Sequence, residues 1–289
     1  MGSDSTRYDA VVIGSGQGGN PLAVALAKAG WKAAMVEREH VGGTCINVGC
    51  TPTKTMVASA RVAHIARRAA DFGVDTGPVG VDMPAVLRRK NEIVASWRKS
   101  GEDRLAAAPG LDLLRGEASF SGPHTLEVRM NVSDGLGVTR SLEAEHIFIN
   151  VGARPTVPLL PGLDTVPYLD STTVMELDAV PEHLVVLGGG YVGVEFGQMF
   201  RRFGSEVTIV QRGSALLAQE DPDVCQAVAA ILREDGLRIV LEAQATQTEV
   251  DSNGWVTLKV DSPEGRQTIR GSHLLVAVGR TLNTDSLNL

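Results

Sequence analysis

The chain has 289 residues, of which 43% are hydrophobic and 21% charged, and its formal net charge is -7. This length allows two domains, and the acidic balance argues against nucleic acid and anionic membrane as main partners. No stretch reaches the roughly 18 consecutive apolar residues of a membrane span, and the first residues do not read as a secretory signal. Only three cysteines occur, so we expect a cytoplasmic protein rather than a secreted disulfide scaffold.

The first elements along the chain form a nucleotide-binding pattern. An apolar run at 8–13 predicts a buried parallel strand, and a turn of the form G-x-G-x-x-G follows it. A helix over 22–29 and a strand over 32–36 then lead to an acidic residue. Such glycines let the backbone approach a pyrophosphate, and the acid binds a ribose diol. The predicted contacts are Gly14, Ser15, Gly16, Gly18, Gly19 and Glu37.

Two cysteines follow in the run GGTCINVGCTPTK, which covers residues 42–54. On an undistorted helix the Cα atoms of Cys45 and Cys50 would be roughly 8–9 Å apart, whereas a disulfide needs about 4.4–6.8 Å. Either the pair is unbridged or the chain bends between them, and Gly49 gives backbone freedom for a bend. A bridge across so short a loop would serve redox chemistry rather than stability. Two cysteines without nearby partner ligands do not complete a zinc site, so we predict no metal.

The middle of the chain predicts helices over 54–70 and 83–108. Residues 117–150 alternate in polarity, which predicts a small antiparallel meander with turns at 122–123 and 133–135. Four prolines between 155 and 167 then mark a linker.

A second copy of the nucleotide-binding pattern begins at residue 183. It has a strand over 183–187, glycines at 188–193, a helix over 194–203 and a strand over 206–210. The position that matches Glu37 is Gln211, and Arg212 follows it. A neutral side chain beside a cation accepts a 2′-phosphate, and this favours NADPH. A complete glycine fingerprint is at least as common with NAD, so NADH is the alternative. Residues 246–269 predict a hairpin.

The block G-G-T-C-x-N-x-G-C-x-P-[ST]-K at 42–54 resembles that of the class I pyridine-nucleotide–disulfide oxidoreductases, the group of dihydrolipoamide dehydrogenase, glutathione reductase and mercuric reductase. The sequence is most similar to mercuric reductase-like flavoproteins, because of Gln17, residues 51–54 and residues 211–212. The resemblance implies that NAD(P)H passes electrons through FAD to a Cys45–Cys50 disulfide, and on to a disulfide, metal ion or similar acceptor.

The resemblance also implies roles for individual residues. Cys50 would face the flavin, Cys45 would attack the substrate, Lys54 and Glu195 would pair near the flavin, and Tyr191 would move aside for nicotinamide. Further cofactor contacts would come from Gly43, Thr44, Lys54, Gly116, Ala118 and Gly152 in the first domain, and from Gly188, Gly190, Val192, Gly193, Glu195, Gln211, Arg212 and Gly279 in the second. Asn150 and Val151 stand where the family has Ala and Thr.

The implied fold is α/β, with two Rossmann-like domains that each combine a parallel sheet, helices and a small antiparallel meander. We predict an FAD-binding domain over 1–155, an NAD(P)-binding domain over 156–280, and a return toward the first domain over 281–289. The family pattern continues with a Gly-Asp motif and a C-terminal interface domain that forms the homodimer and carries a His-Pro-x-x-x-Glu base. We therefore expect a truncated chain rather than a natural minimal flavoprotein. A catalytically incomplete nucleotide-binding fragment and an NAD(P)H oxidase that uses oxygen are the alternatives.

Overall fold

A computed structural model of the chain describes residues 5–131 and 137–289. By its internal contacts the chain divides into two compact units. Unit 1 comprises Met1–Pro52, Asn91–Arg154 and Thr281–Leu289, and unit 2 comprises Thr53–Lys90 and Pro155–Arg280. Among the described residues, none of the helices is long and apolar enough to cross a lipid bilayer.

Both halves of the chain contain strands and helices. The first half contains β1 (Thr6–Ile13), α1 (Gly19–Lys28), β2 (Ala33–Glu37), α2 (Gly43–Asn47), α3 (Cys50–Arg67), α4 (Met83–Ala106), β3 (Leu111–Gly122), β4 (Thr125–Met130) and β5 (Thr139–Ile149). The second half contains β6 (Ala153–Pro155), β7 (Tyr168–Leu169), β8 (His183–Leu187), α5 (Tyr191–Phe203), β9 (Glu206–Val210), α6 (Pro222–Glu234), β10 (Arg238–Val240), β11 (Gln244–Val250), β12 (Val256–Ser262), β13 (Gly265–Gly271), β14 (His273–Val276) and β15 (Arg280–Leu282). Short 3₁₀ turns lie at Ala69–Phe72, Leu163–Thr165 and Thr173–Glu176.

The sheet of unit 1 is a closed ring of β1 to β5. β5, β1, β2 and β3 pair in parallel, as buried apolar strands do when helices cover the sheet. β3 is long enough to continue beyond this sheet and pair with β4, and β4 pairs with β5, both antiparallel. One apolar core packs α1 and α4 on the sheet, through residues such as Val12, Ala23, Met35 and Leu105, and another lies inside the ring.

Unit 2 contains a five-stranded parallel sheet in the order β10-β9-β8-β14-β7 and a three-stranded antiparallel sheet, β11-β12-β13. α5 packs on the parallel sheet because Phe196, Met199, Phe200 and Phe203 repeat at helical spacing and are buried. Gly204, at φ 123°, ends this helix in a conformation that favours glycine.

The predicted α/β class is confirmed, with a parallel sheet and an antiparallel meander in each unit. Helix bounds differ from the prediction: α1 starts at Gly19 rather than residue 22, since the end of the glycine turn is already helical, and α3 starts at Cys50 rather than Lys54. The predicted turn at 122–123 joins β3 and β4, whereas the one at 133–135 lies outside the described residues. The predicted domain bounds stay a prediction, and they differ from the contact-based units in that residues 53–90 group with unit 2.

Candidate functional site

The glycine turn of unit 1 joins β1 to α1, and its three fingerprint glycines meet different requirements. Gly14 has φ 98°, and a Cβ there would lie 2.4 Å from the carbonyl oxygen of Asn150. A Cβ on Gly19 would lie 2.0 Å from the carbonyl oxygen of Gly14, so the helix can approach the strand only without a side chain. Around Gly16 the nearest contact is an amide nitrogen at 3.5 Å, which leaves the backbone open to a ligand.

Glu37, the last residue of β2, is buried against this turn. One carboxylate oxygen accepts the N–H of Ser15 at 2.9 Å and its hydroxyl at 2.5 Å, and the other accepts the N–H of Glu39 at 2.8 Å. The Ser15 hydroxyl also accepts the N–H of Gly42 at 3.1 Å. These bonds fix the carboxylate at the edge of the turn, where a ribose diol would be recognised.

A cavity of about 210 Å³ in unit 1 collects most of the residues predicted to touch FAD. Its lining includes Gly14, Ser15, Gly16, Glu37, Gly43, Thr44, Gly116, Ala118 and Gly152. Gly18 and Gly19 lie outside this lining. An open glycine backbone at a helix N-terminus, with an oriented carboxylate beside it, fits the adenosine and pyrophosphate portions of FAD.

The two cysteines lie on different helices because the chain breaks between α2 and α3. Cys45 is in α2 and half-buried, whereas Cys50 is the first residue of α3 and exposed, and both are thiols. A Cβ on Gly49 would come within 2.8 Å of the carbonyl oxygen of Thr44. Of the two alternatives that the spacing left open, the structure has both an unbridged pair and a bend, and Gly49 is required there for close packing rather than for a left-handed φ.

Lys54 and Glu195 form an ion pair within unit 2. Glu195 is in the second turn of α5, and Lys54 is in α3, four residues after Cys50 and on the same face of that helix. The two side chains are 65% and 31% exposed, so the pair adds little to stability. Its effect is to hold an ammonium group at a fixed place.

The glycine turn of unit 2 joins β8 to α5. A Cβ on Gly188, at φ 118°, would lie 2.4 Å from the carbonyl oxygen of Ala277, and one on Gly193 would lie 2.0 Å from that of Gly188. A Cβ on Gly190 would meet nothing within 4 Å. Gly190 therefore leaves its backbone open, as the second glycine of a pyrophosphate-binding turn must.

Gln211 takes the position in unit 2 that Glu37 takes in unit 1. Its amide oxygen accepts the N–H of Gly189 at 3.0 Å, and its amide nitrogen donates to the carbonyl of Ala215 at 3.3 Å. A cavity of about 710 Å³ opens beside it, and the exposed Arg212 is part of the lining. Other predicted residues that line it are Gly188, Gly190, Tyr191, Val192 and Gly279, whereas Gly193 and Glu195 do not.

Comparison with known proteins agrees with this arrangement. The family description "Pyridine nucleotide-disulphide oxidoreductase" matches residues 8–288. The chain belongs to this family. A mercuric reductase of Streptomyces lividans is 41% identical over 285 residues, which are 98% of this chain and 59% of that protein. The probable pyridine nucleotide-disulfide oxidoreductase RclA of Escherichia coli K12 is 39% identical, over 98% of this chain and 58% of the relative.

A solved structure of the HOCl-induced flavoprotein disulfide reductase RclA from Escherichia coli matches with a TM-score of 0.81 and 39% identity, over 97% of this chain and 58% of that one. This chain thus spans little more than half the length of these relatives. Flavin and pyridine nucleotide are the cofactors of the family. The resemblance drawn from the sequence is therefore confirmed at the level of the family.

Two asparagines that we did not predict to contribute make hydrogen bonds to the backbone around the first glycine turn. The Asn47 amide nitrogen lies within hydrogen-bonding distance of the carbonyls of His40, Val41 and Gly43, at 3.2, 3.1 and 2.9 Å, and its oxygen accepts from Arg98. The Asn150 amide donates to the carbonyl of Gly14 at 3.3 Å and lies across the glycine turn. Asn47 is one of the specified residues of the motif at 42–54 that contains the two cysteines. That motif could have identified Asn47 from the sequence.

Proposed function

We propose that this chain is the electron-entry portion of a flavoprotein disulfide oxidoreductase. A reduced pyridine nucleotide would supply electrons, by way of FAD, to Cys45 and Cys50, and these would pass them to a disulfide, metal ion or similar acceptor. The observation that carries the proposal is the pair of thiols at the α2–α3 break, in the same unit as a glycine turn with an oriented carboxylate. The reducing cytoplasm suits such a dithiol.

The two cysteines have different roles in this proposal. In forming a disulfide they release two electrons and two protons, and an acceptor disulfide that takes up the same becomes two thiols. Cys45 attacks the acceptor as a thiolate, which is the nucleophilic form of cysteine. Cys50 is the first residue of α3, where the free N–H groups of the first turn favour negative charge. Cys50 is therefore suited to hold a thiolate beside the flavin.

The remaining residues bind and orient the cofactors. Ser15, Gly16 and Glu37 would hold the adenosine and pyrophosphate portions of FAD, which when bound takes a hydride and gives up an electron pair. Lys54, fixed by Glu195, would place positive charge near the flavin ring. Gly188 and Gly190 would hold the pyrophosphate of the pyridine nucleotide. Gln211 and Arg212 favour NADPH, because a neutral side chain and a cation accept a 2′-phosphate.

The visible spectrum of the purified chain tests this proposal, recorded with added FAD and then after anaerobic addition of one equivalent of NADPH. We expect a bound-flavin spectrum that gains the long-wavelength absorbance of a thiolate against flavin. Cys50→Ser should abolish this band, and Cys45→Ser should keep it. Cys225→Ser is the matched control, because this thiol is buried on α6 in unit 2 and should leave the band unchanged.

Two outcomes would contradict the proposal. Failure to bind added FAD would leave a catalytically silent nucleotide-binding fragment. NADPH oxidation by oxygen at an equal rate in Cys45→Ser and the parent protein, without disulfide reductase activity in either, would indicate an oxidase.

A further inference from the structure

The side chains of Tyr191 and Glu220 are hydrogen-bonded to each other at the unit 2 cavity. Tyr191 is the first residue of α5, lines the cavity and is 56% exposed. Its phenol donates a short hydrogen bond to the Glu220 carboxylate. Glu220 belongs to the loop between β9 and α6, and residues 217–219 of that loop also line the cavity. We call this contact the Tyr191–Glu220 tie.

The loop that carries Glu220 is fixed by its own hydrogen bonds. Leu217, at φ 50°, donates its N–H to the carbonyl of Gly189 at 2.9 Å, and Glu220 donates its N–H to the carbonyl of Leu217 at 2.8 Å. The buried Cys225 thiol lies 3.3 Å from the Leu217 carbonyl oxygen and 3.6 Å from that of Glu220. These bonds fix the backbone of the loop, so the exposed Glu220 side chain extends from a held segment of chain.

The tie restricts a ring that is otherwise free to turn. Hydrogen bonds to a carboxylate are shorter and stronger than those between neutral groups. The hydrogen bond to Glu220 raises the pKa of Tyr191, because the carboxylate interacts favourably with the protonated phenol. An exposed aromatic side chain has thus lost rotational freedom in the absence of any ligand.

A dinucleotide in this cavity would have to pass the ring. Its pyrophosphate would lie over the open backbone of Gly190 at the N-terminus of α5, and its adenosine ribose would lie toward Gln211. Tyr191 follows Gly190 directly, so the other half of the molecule extends beside the ring.

We propose that Glu220 is a positioning residue, which holds the Tyr191 ring beside the open Gly190 backbone in the unit 2 cavity and so opposes the entry of a dinucleotide. This inference rests on the proposed function, since it assigns a pyridine dinucleotide to this cavity. Breaking the Tyr191–Glu220 hydrogen bond costs free energy when the dinucleotide binds. A protein that lacks this bond therefore binds the dinucleotide more tightly.

The test is a double-mutant cycle read by calorimetric titration of the full chain with NADP⁺. Glu220→Ala should lower the Kd about fivefold, as expected for one partly exposed charge-assisted hydrogen bond. Glu220→Gln, whose amide oxygen still accepts the phenol, should lower the Kd by less. In a Tyr191→Phe background, Glu220→Ala should have no further effect, because the tie is already lost.

Two controls separate the tie from general charge or stability effects. Asp223→Asn also removes one carboxylate, from the first turn of α6, where it accepts the N–H of Val224, and it should leave the Kd unchanged. Adenosine 2′,5′-bisphosphate reaches only the ribose end of the cavity, so its affinity should be the same in Glu220→Ala and the parent protein.

Unchanged or weaker NADP⁺ binding in Glu220→Ala would overturn the proposed role of Glu220. An equal gain in NADP⁺ affinity from Glu220→Ala in the Tyr191→Phe background would also overturn it. Equal gains for the bisphosphate and for NADP⁺ would also overturn it. Absence of NADP⁺ and NAD⁺ binding by the parent protein would overturn the proposed function, and the tie with it.

Discussion

In unit 1 a Cβ on Gly14 would lie 2.4 Å from the carbonyl oxygen of Asn150, and in unit 2 one on Gly188 would lie 2.4 Å from that of Ala277. The N–H of Asn150 donates to Ile13 at 2.8 Å, and that of Ala277 donates to Leu187 at the same distance. The two glycine turns thus share their backbone contacts. Backbone approach to a pyrophosphate imposes the same geometry twice, whatever the side chains are.

The side chains around the two turns differ in charge and in volume. The N–H of the second turn residue donates to the Glu37 carboxylate in unit 1 and to the neutral Gln211 amide in unit 2. In unit 1 the Asn150 side chain fills space beside Gly18, and in unit 2 the matching residues are Ala277 and Val192. In the proposed function, the shared backbone would bind the common part of two nucleotides, and the side chains would distinguish them.

Breaking the shared backbone geometry should have the largest effect. Gly19→Ala and Gly193→Ala each place a Cβ 2.0 Å from a carbonyl oxygen, so we expect a loss of about 1–3 kcal/mol in the free energy of unfolding. The first should weaken FAD binding and the second NADP⁺ binding, each by about 100-fold or more, corresponding to about 2.7 kcal/mol. Thermal unfolding and ligand titrations measure both effects.

Gly190→Ala distinguishes an effect on ligand binding from an effect on packing, because the added Cβ would meet no other atom within 4 Å. It should weaken NADP⁺ binding and leave the melting temperature close to that of the parent protein. Gly80→Ala, also in open space, is the neutral control for both measurements. Equal stability of Gly193→Ala and Gly190→Ala would contradict the packing role of the third glycine.

Exchanging the two side chains that receive the turn N–H should have an intermediate effect. Glu37→Gln keeps an acceptor for Ser15 but loses its charge, and a hydrogen bond to a charged group exceeds a neutral one by about 1 kcal/mol. We expect FAD to bind about five- to tenfold more weakly. Fluorescence titration of FAD measures this, and an unchanged Kd would show that the carboxylate does not face the cofactor.

Gln211→Glu makes the second turn resemble the first. The added charge repels a 2′-phosphate, so the NADPH:NADH preference should shift toward NADH by about tenfold, or about 1.4 kcal/mol. The ratio of the two Kd values is the measurement. A constant ratio would remove Gln211 from the choice between them, and Glu242→Gln, on a nearby exposed loop, is a control for unrelated charge changes.

The smallest effect should come from the space beside the first turn. Gly18 has φ -87° and ψ -44°, which any residue adopts, but a Cβ there would lie 2.9 Å from the Asn150 amide oxygen. Gly18→Val should cost about 0.5–1 kcal/mol of stability in the parent protein, since the atom that its Cβ meets is the end of a side chain, and less in an Asn150→Ala background. Denaturant unfolding of the four proteins gives the coupling. Additive effects would show that Asn150 does not restrict this position.

The sequence allowed the two turns to be predicted and the bend between the cysteines to be offered as one of two alternatives, because each depends on neighbouring residues. The pattern of strand, glycines, helix, second strand and Glu37 lies within a short stretch of sequence. The dimensions of a helix are enough to show that the Cys45–Cys50 spacing does not match the geometry of a disulfide. Thr44, whose carbonyl oxygen lies beside Gly49, is also a near neighbour in the chain.

The contacts that could not be predicted join residues far apart in sequence. Asn150 meets Gly14 across 136 residues, and Glu220 meets Tyr191 across 29. An asparagine at a strand end and a glutamate in a loop are common on any surface, so no local pattern marks them. The grouping of residues 53–90 with unit 2 likewise depends on Met56, Ala60 and Met83 packing against α5, which periodicity alone does not reveal.

Unit 1 is assembled from three separate stretches of chain, and the last begins at Thr281. Leu287 in that stretch is 2% exposed within the core of the ring, and its carbonyl accepts the N–H of Phe120 at 2.8 Å. During synthesis on the ribosome, strands β1 to β5 emerge well before this leucine. The core of unit 1 is therefore completed by Leu287 only after unit 2 has been translated.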